Sequence, residues 1–347
     1  MILRTTSLAL LLSTSAALAE VPKVVTDIPP IQSLVAMVMD QIGTPDLLIE
    51  PGASAHDLAL KPSQAQMLSD ADIVIWVGPE LNPAVEGHVE SLASKAVHLE
   101  LMNAEGAHLL PYRDEAFFGD HHDAEDHEDH GDEDHDEDHK DHDDDHEKHD
   151  EHDEDHEEHS DDHHAHGDGE FDPHLWMSPE NAVLWVNVIA QELAKIDQDN
   201  QDKYFYNATL AAEKIKAAQE QAQAILEPIH DVPLAAYHDA YQYFEDAFGL
   251  NVIGAISDSD AVQPGAKRIE TLRSEFEQLQ PKCFLMEPGA NARLIMSVGW
   301  AGLLDSDSGK EPIARLDPLG GHLEQGAALY TSLIEDTAQR IADCVAD

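Results

Sequence analysis

Residues 121–167 form a tract in which histidines are embedded in aspartate and glutamate. Imidazole and carboxylate groups are both metal ligands, so this composition predicts low-affinity binding of several metal ions. The tract holds fifteen of the 23 histidines in the 347-residue chain. They are His121, His122, His127, His130, His135, His139, His142, His146, His149, His152, His156, His159, His163, His164 and His166.

The tract is too acidic and too poor in aromatic residues to bury a core of its own. We therefore expect residues 119–170 to be an insertion that is disordered without metal. From His135 to His163 most histidines are spaced by three or four residues, which would align them on one face of a helix. When metal binds, part of the tract is expected either to become helical or to remain a coil. As for its role, the alternative to a metal collector is a solvated linker with incidental metal affinity.

The formal net charge of the chain is −52, and it extends well beyond the tract. Residues 120–170 contain 28 of the 71 acidic residues and only two lysines, so the rest of the chain is also strongly acidic. Attraction to nucleic acid or to an anionic membrane is thereby excluded as a basis for function. Cationic ligands are expected instead.

Eight histidines lie outside the tract, and three of them stand in loops beside predicted strands or helices. They are His56 in "EPGASAHDLAL", His174 in "FDPHLWMSPEN" and His238 in "LAAYHDAYQYF". Ligands of open α/β sheets bind beyond the carboxyl ends of the strands, where such loops meet. Three imidazoles would supply the nitrogen donors that zinc prefers, although each histidine alone also fits a hydrogen-bonded structural role.

An acidic residue lies within two positions of each of these histidines. The three acids are Asp57, Asp172 and Asp239. A ligating imidazole commonly donates its second ring N–H to a carboxylate, so these acids are candidate partners of the three rings.

Short β-branched runs alternate with helical patterns on both sides of the tract, which indicates parallel α/β architecture. Residues 200–229 contain hardly any helix breaker, which predicts a helix of about 40 Å. We expect two similar α/β lobes with mainly parallel sheets, joined by one long spine helix, with a metal cleft between the lobes. The predicted domains are an N-terminal lobe 20–197 that includes the insertion 119–170, a spine 198–229 and a C-terminal lobe 230–347. The predicted strands are 23–27, 46–50, 72–78, 96–101, 232–237, 251–256, 283–288 and 313–317.

Residues 1–19, "MILRTTSLALLLSTSAALA", are typical of a signal peptide. Arg4 gives the positive start, a short apolar run follows, and Ala17–Ala19 gives the cleavage pattern. The run is too short to span a bilayer, and the absence of cysteine at the cleavage point predicts a chain without a lipid anchor. A soluble periplasmic protein is expected, with a retained N-terminal anchor as the alternative.

The chain has two cysteines, Cys283 and Cys344. In an oxidising compartment an isolated pair is more often a disulfide than a metal or redox site. Two unrelated buried thiols are the alternative.

The loops around the three histidines, together with "EPGASAHDLALKPSQAQMLSDADIVIWVGPELN", resemble those of the metal-binding solute-binding proteins of ABC transporters. More narrowly, they resemble the zinc receptors of Znu-type uptake systems, over essentially the whole mature chain. The resemblance implies zinc held between the lobes by His56, His174 and His238. Manganese-type relatives carry a carboxylate where His238 stands, and some zinc relatives carry Glu where this chain has Ala55. The resemblance therefore leaves water or Asp317 as the fourth partner of the metal, with Asp317 either a ligand or an outer contact.

The function expected from these features is high-affinity zinc capture in the periplasm and delivery to an ABC permease and its ATPase at the inner membrane. The protein is expected to be a monomer, to carry Zn²⁺ as its transported ligand, and to use the tract as an accessory collector. A zinc hydrolase is disfavoured because the sequence has neither HExxH nor GxSxG. A periplasmic zinc buffer or chaperone without a transporter and a manganese-type receptor are the remaining alternatives.

Overall fold

The computed structural model describes residues 21–113, 115–118, 171–257, 264–299 and 312–346. The predicted signal peptide 1–19 and the predicted insertion 119–170, with all fifteen of its histidines, lie outside the described residues. The residues that are described belong to one compact unit.

The N-terminal half forms a four-stranded parallel sheet with the strand order β2-β1-β3-β4. Strands β1 and β3 are buried along their whole length because they lie inside the sheet, which explains their continuous apolar sequences. We call this sheet and its helices the first lobe. Its elements are β1 Val24–Thr26, α1 Pro29–Val38, β2 Asp46–Leu47, α2 Pro62–Ser69, β3 Ile73–Trp76, α3 Pro83–Leu92 and β4 Val97–Glu100.

Two antiparallel helices connect the halves of the chain: α4, Pro179–Ile196, and α5, Gln201–Leu226. Ser178 caps α4 by accepting a hydrogen bond from the Asn181 N–H, and a proline occupies its first turn. Helix α5 has 26 residues, or about 39 Å at 1.5 Å per residue, so the predicted long helix is confirmed. It packs along α4 and α1.

The C-terminal half repeats the first architecture, with a second four-stranded parallel sheet in the order β6-β5-β7-β8. We call this sheet and the helices α6–α8 the second lobe, and the final helix α9 packs against α5. The predicted pair of similar parallel α/β lobes is therefore confirmed. The elements are β5 Pro233–His238, α6 Gln242–Phe248, β6 Asn251–Ser257, α7 Ala266–Leu279, β7 Cys283–Met286, α8 Ala292–Ser297, β8 Ile313–Arg315 and α9 Leu329–Ala346.

Every predicted strand is present, but some boundaries differ from the sequence pattern. Helix α1 ends at Val38, and three residues later Gln41 takes a left-handed backbone with φ 58°. The strand predicted at 46–50 pairs only over Asp46–Leu47. The last helix, α9, starts at Leu329, after Gly326 with φ 108°.

Cys283 and Cys344 form a disulfide, which confirms the predicted pair and fastens α9 to β7. Among the helices of the described residues, none is long and apolar enough to cross a membrane.

Candidate metal centre

Three histidines from distant parts of the sequence converge between the two lobes. The ring centroids of His56, His174 and His238 lie 4.8–5.3 Å apart. Each ring can offer one nitrogen, and these three nitrogens lie within 4.8 Å of one another. The Nε2 atoms of His56 and His174 are 3.2 Å apart, close to the ~3.3 Å between two nitrogens of a tetrahedral zinc site. The arrangement is thus already near the geometry that a bound ion requires.

The second lobe places its polar groups along one edge of its sheet. His238 is the last residue of β5, while Glu287 directly follows β7 and Asp317 comes two residues after β8. Strands β5, β7 and β8 are consecutive neighbours and parallel, so their carboxyl ends open onto the same crevice. This is the edge at which open α/β sheets bind ligands.

The first lobe positions His56 through its loop contacts. The Asn82 side chain donates to the Ala55 carbonyl at 2.9 Å and also caps α3. The His56 backbone N–H donates to the Ser54 hydroxyl at 3.1 Å. The loop that follows β2 is therefore attached to the start of α3, which fixes where the imidazole enters the cleft.

His174 lies just before a 3₁₀ turn, Leu175–Met177, that leads into α4. The Trp176 indole N–H donates to the Pro318 carbonyl of the second lobe at 2.8 Å. The indole ring also lies 5.3 Å from the His174 imidazole, between ring centroids. This turn is thus held against the opposite side of the cleft.

The Nδ1 atoms of the three rings face hydrogen-bond acceptors. Nδ1 of His174 lies 2.7 Å from Oδ1 of Asp172, and that of His238 is hydrogen-bonded to Oε2 of Glu287 at 3.3 Å and lies 3.1 Å from Oε1 of the same carboxylate. Nδ1 of His56 lies 3.2 Å from the carbonyl oxygen of Leu81. Because each acceptor requires a donor, Nδ1 carries the hydrogen and Nε2 keeps its lone pair. The three rings are therefore oriented as metal ligands.

The charge around the rings is negative. His174 and His238 are each 2 % exposed, and their partners Asp172 and Glu287 are buried with them. Two buried carboxylates beside neutral imidazoles balance the charge of a divalent cation, which reduces the cost of burying either partner. Burial raises the pKa of the neighbouring Tyr241 well above its usual value, and the charge of Glu287 raises it further, so the hydroxyl stays neutral.

A cavity of about 250 Å³ opens onto the three rings. Residues of both lobes line it, which identifies it as the space between them. The lining residues are Gly52, Ala53, Ser54, Ala55, His56, His174, Trp176, His238, Glu287, Pro288, Asp317, Pro318 and Leu319.

Asp317 lies in the cavity wall, where its carboxylate stabilises the loop that follows β8. Its Oδ1 accepts the Leu319 N–H at 2.9 Å, and its Oδ2 accepts the Gly321 N–H at 2.8 Å. These two hydrogen bonds hold the carboxylate in the cavity wall and leave a second lone pair on each oxygen.

The predicted acidic partners are right in one case and wrong in two. Asp172 does accept from His174, as expected. Asp57 is exposed, and the backbone carbonyl of Leu81 takes its place as the partner of His56. Asp239 pairs with Arg113, and the residue that faces His238 is Glu287. The adjacency of β5 and β7 is the signal that identifies Glu287, and sequence spacing does not contain it.

Two parallel α/β lobes that enclose a cluster of three imidazoles, two of them buried, define the class of metal-binding solute-binding proteins. Within that class, residues 24–344 match the sequence model of a family described as ZnuA, the periplasmic component A of the zinc-uptake complex. The chain belongs to this family.

Relatives and solved structures agree with this assignment. The chain is 40 % identical over 340 residues to the high-affinity zinc uptake system protein ZnuA of Paracoccus denitrificans (strain Pd 1222), covering 97 % of each chain. It is 36 % identical over 322 residues to the protein of the same description from Brucella abortus (strain 2308), covering 93 % of this chain and 91 % of the relative.

Among solved structures, a crystal structure of ZnuA superposes with a TM-score of 0.66 at 17 % identity, over 93 % of this chain and 99 % of the other. The solute-binding protein FpvC from Pseudomonas aeruginosa, in complex with Mn²⁺, gives a TM-score of 0.67 at 17 % identity, over 94 % and 99 %. At this identity the two structures support the fold.

Proposed function

We propose that this protein captures zinc in the periplasm with high affinity and delivers it to an ABC permease and its ATPase. The observation that carries this proposal is the convergence of three imidazoles whose Nδ1 atoms all face acceptors, because one nitrogen of each ring can then bind a shared ion, and these nitrogens lie within 4.8 Å of one another. The names of the relatives, high-affinity zinc uptake system proteins, support the same cargo.

In this proposal His56, His174 and His238 bind Zn²⁺ directly. An all-imidazole set favours zinc over manganese, which prefers hard oxygen donors. Asp317 acts as an outer contact that holds the loop after β8 through its two backbone hydrogen bonds, and water fills the fourth position.

The protein performs no reaction on the ion. Binding stabilises one relation between the lobes, because the ligands come from both, and the permease recognises that state. The proposed organisation is a signal peptide 1–19, an N-terminal lobe 20–197, a spine 198–229 and a C-terminal lobe 230–347. The mature chain acts as a soluble monomer without a lipid anchor.

The acidic tract serves the cleft as an accessory collector. A segment that offers many weak sites next to a tight one raises the local zinc concentration, so ions released from the tract rebind in the cleft. The tract should lose this effect below about pH 6, where its histidines protonate.

Zinc calorimetry at neutral pH tests the proposal on three proteins: the mature chain, the chain lacking 121–166, and that deletion combined with His238→Ala. One tight site per deleted chain, lost in the combined variant, is the expected result. If the deletion alone removes all tight binding, the tract is the receptor site and the cleft assignment fails.

A further inference from the structure

Arg113 forms a charged cluster behind the metal centre, outside the site described above. Its Nε and Nη2 donate to the two carboxylate oxygens of Asp239 at 3.0 and 2.5 Å, and its Nη1 donates to Glu245 at 2.8 Å. The guanidinium also lies 3.8 Å from the ring centroid of Phe118. The side chains of Arg113, Asp239 and Glu245 are at least four-fifths buried. Such forked, buried contacts define one position of the guanidinium.

Both carboxylates belong to the part of the second lobe that carries His238. Asp239 directly follows His238 and lies inside a tight turn, in which the Ala240 N–H donates to the His238 carbonyl at 2.9 Å. Glu245 is in α6, and its other oxygen accepts the Val252 N–H of β6 at 2.8 Å. One guanidinium thus connects the end of β5, α6 and the start of β6.

The cation comes from outside this lobe. Arg113 belongs to the segment 111–118, which follows the first sheet and crosses to β6. There the Phe118 N–H donates to the Ile253 carbonyl at 2.9 Å, and the Ala255 N–H donates to the Ala116 carbonyl at 3.1 Å. At Gly254 a Cβ would meet the Ala116 carbonyl oxygen at 2.5 Å, so the close pairing depends on glycine.

The same connection reaches the support of His174. The Leu110 N–H donates to the Tyr243 hydroxyl at 3.0 Å, and this hydroxyl donates to the Asp172 carbonyl at 3.0 Å. Asp172 is the partner of the His174 imidazole. The stretch from Leu110 to Phe118 therefore contacts the supports of metal-facing residues in both lobes.

We propose that Arg113 is a positioning residue of the metal centre, which acts through Asp239 to hold the turn after β5 and thereby the imidazole of His238. This inference rests on the proposed function of the cleft as a zinc site. It assigns to a residue of the first half of the chain the task of fixing a ligand in the second lobe.

The sign of the effect separates positioning from simple electrostatics. Arg113 carries a positive charge close to a site that receives a cation, so its neutralisation alone would strengthen zinc binding. Loss of positioning acts in the opposite direction. Changes to the partners of a metal ligand commonly weaken binding 10- to 100-fold, and since Arg113 acts one contact further out, we expect about tenfold for Arg113→Met.

The test uses the full chain and measures zinc affinity by competition with a chelator, together with the visible d–d spectrum of bound Co²⁺ and the Tm of the metal-free protein. The variants are Arg113→Met, Arg113→Lys, Asp239→Asn and the Arg113→Met/Asp239→Asn pair. Arg268→Met is the matched control, because Arg268 donates to the Glu115 carbonyl of the same segment and to the Ala255 carbonyl of β6.

The expected result is weaker zinc binding and an altered cobalt spectrum in Arg113→Met. Arg113→Lys should show most of the same loss of zinc affinity, because a lysine cannot form the forked pair of hydrogen bonds with Asp239. Arg268→Met is expected to keep the wild-type affinity and spectrum, whatever its Tm. In the Asp239→Asn background, Arg113→Met is expected to add nothing.

Unchanged or tighter binding in Arg113→Met overturns the proposal, even if its Tm falls. If Arg113→Met lowers zinc affinity in the Asp239→Asn background as much as it does in the wild type, Arg113 does not act through Asp239. If Arg113→Met does not fold, the variants Arg113→Lys and Asp239→Asn decide the same question. Wild-type zinc affinity in both of them overturns the proposal. If the tight zinc site of the full chain survives the single substitution His238→Ala, the proposed function of the cleft is refuted instead. The two failures can therefore be told apart.

Discussion

Replacing Asp172 with asparagine isolates the contribution of one buried charge to metal binding. Oδ1 of Asp172 accepts from both the Nδ1 and the backbone N–H of His174, at 2.7 and 2.9 Å. The oxygen of an asparagine can accept the same two hydrogen bonds, so the ring keeps its orientation. What the substitution removes is the negative charge behind the imidazole.

The size of the effect follows from Coulomb's law. The hydrogen bond, the width of the ring and a zinc–nitrogen bond of ~2.0 Å together put the carboxylate roughly 6–7 Å from the ion. At an effective dielectric constant of about 20 this charge contributes about 2.5 kcal/mol. We therefore expect Asp172→Asn to weaken zinc binding by roughly 70-fold, within the range found for outer partners of metal ligands.

Competition with a chelator of known affinity measures this loss in the chain lacking 121–166, with the Tm of the metal-free protein as a check on folding. Glu287→Gln provides a graded comparison, since Glu287 lies further from its imidazole, at 3.1 Å, and should cost less. Asp57→Asn is the matched control, because Asp57 is adjacent to His56 in sequence yet exposed. Binding by Asp172→Asn within twofold of wild type would refute the electrostatic argument.

Three further predictions concern the fold around the site. Removing the disulfide by Cys283→Ala and Cys344→Ala opens a loop of 61 residues. Denaturant titrations should then show an unfolding free energy lower by about 4 kcal/mol, while the cleft still binds one zinc ion. Burial raises the pKa of Asp27 to about 6, so the folded state binds this proton more tightly than the unfolded state. The contribution of Asp27 to stability is therefore full below about pH 4 and is lost as the pH rises through 6. The unfolding free energy of wild type, relative to that of Asp27→Asn, should fall by about 3 kcal/mol over that range. Gly321→Ala should weaken zinc binding, because its Cβ would meet the first lobe's backbone at 2.9 Å, whereas Gly87→Ala, with open space around it, should bind as wild type.

The fold was largely accessible from the sequence because its signals are local. Apolar β-branched runs separated by helical patterns identify parallel strands, and the uninterrupted stretch over 200–229 identifies α5. The three histidines could be selected because parallel strands deliver their carboxyl ends to one crevice. Local pattern therefore predicts which residues reach the cleft.

The partners of those histidines were less accessible because they depend on distant chain segments. Asp172 is two residues from His174, and sequence proximity identified it correctly. Glu287 is 49 residues from His238, and only the adjacency of β5 and β7 brings the two together. Arg113 is 126 residues from Asp239, and the crossing of its segment to the second lobe leaves no periodic signal.

The division of these contacts explains how a binding site can also be a release site. Each imidazole is oriented by an acceptor from its own half of the chain: Leu81 for His56, Asp172 for His174 and Glu287 for His238. A change in the relation between the lobes would therefore move the His238 imidazole away from those of His56 and His174 without breaking any of these three acceptor contacts. The affinity of the centre then depends on the distance between the lobes as well as on the support of each ligand, and the contacts that fix this distance, among them Trp176 with Pro318, influence how readily the ion leaves.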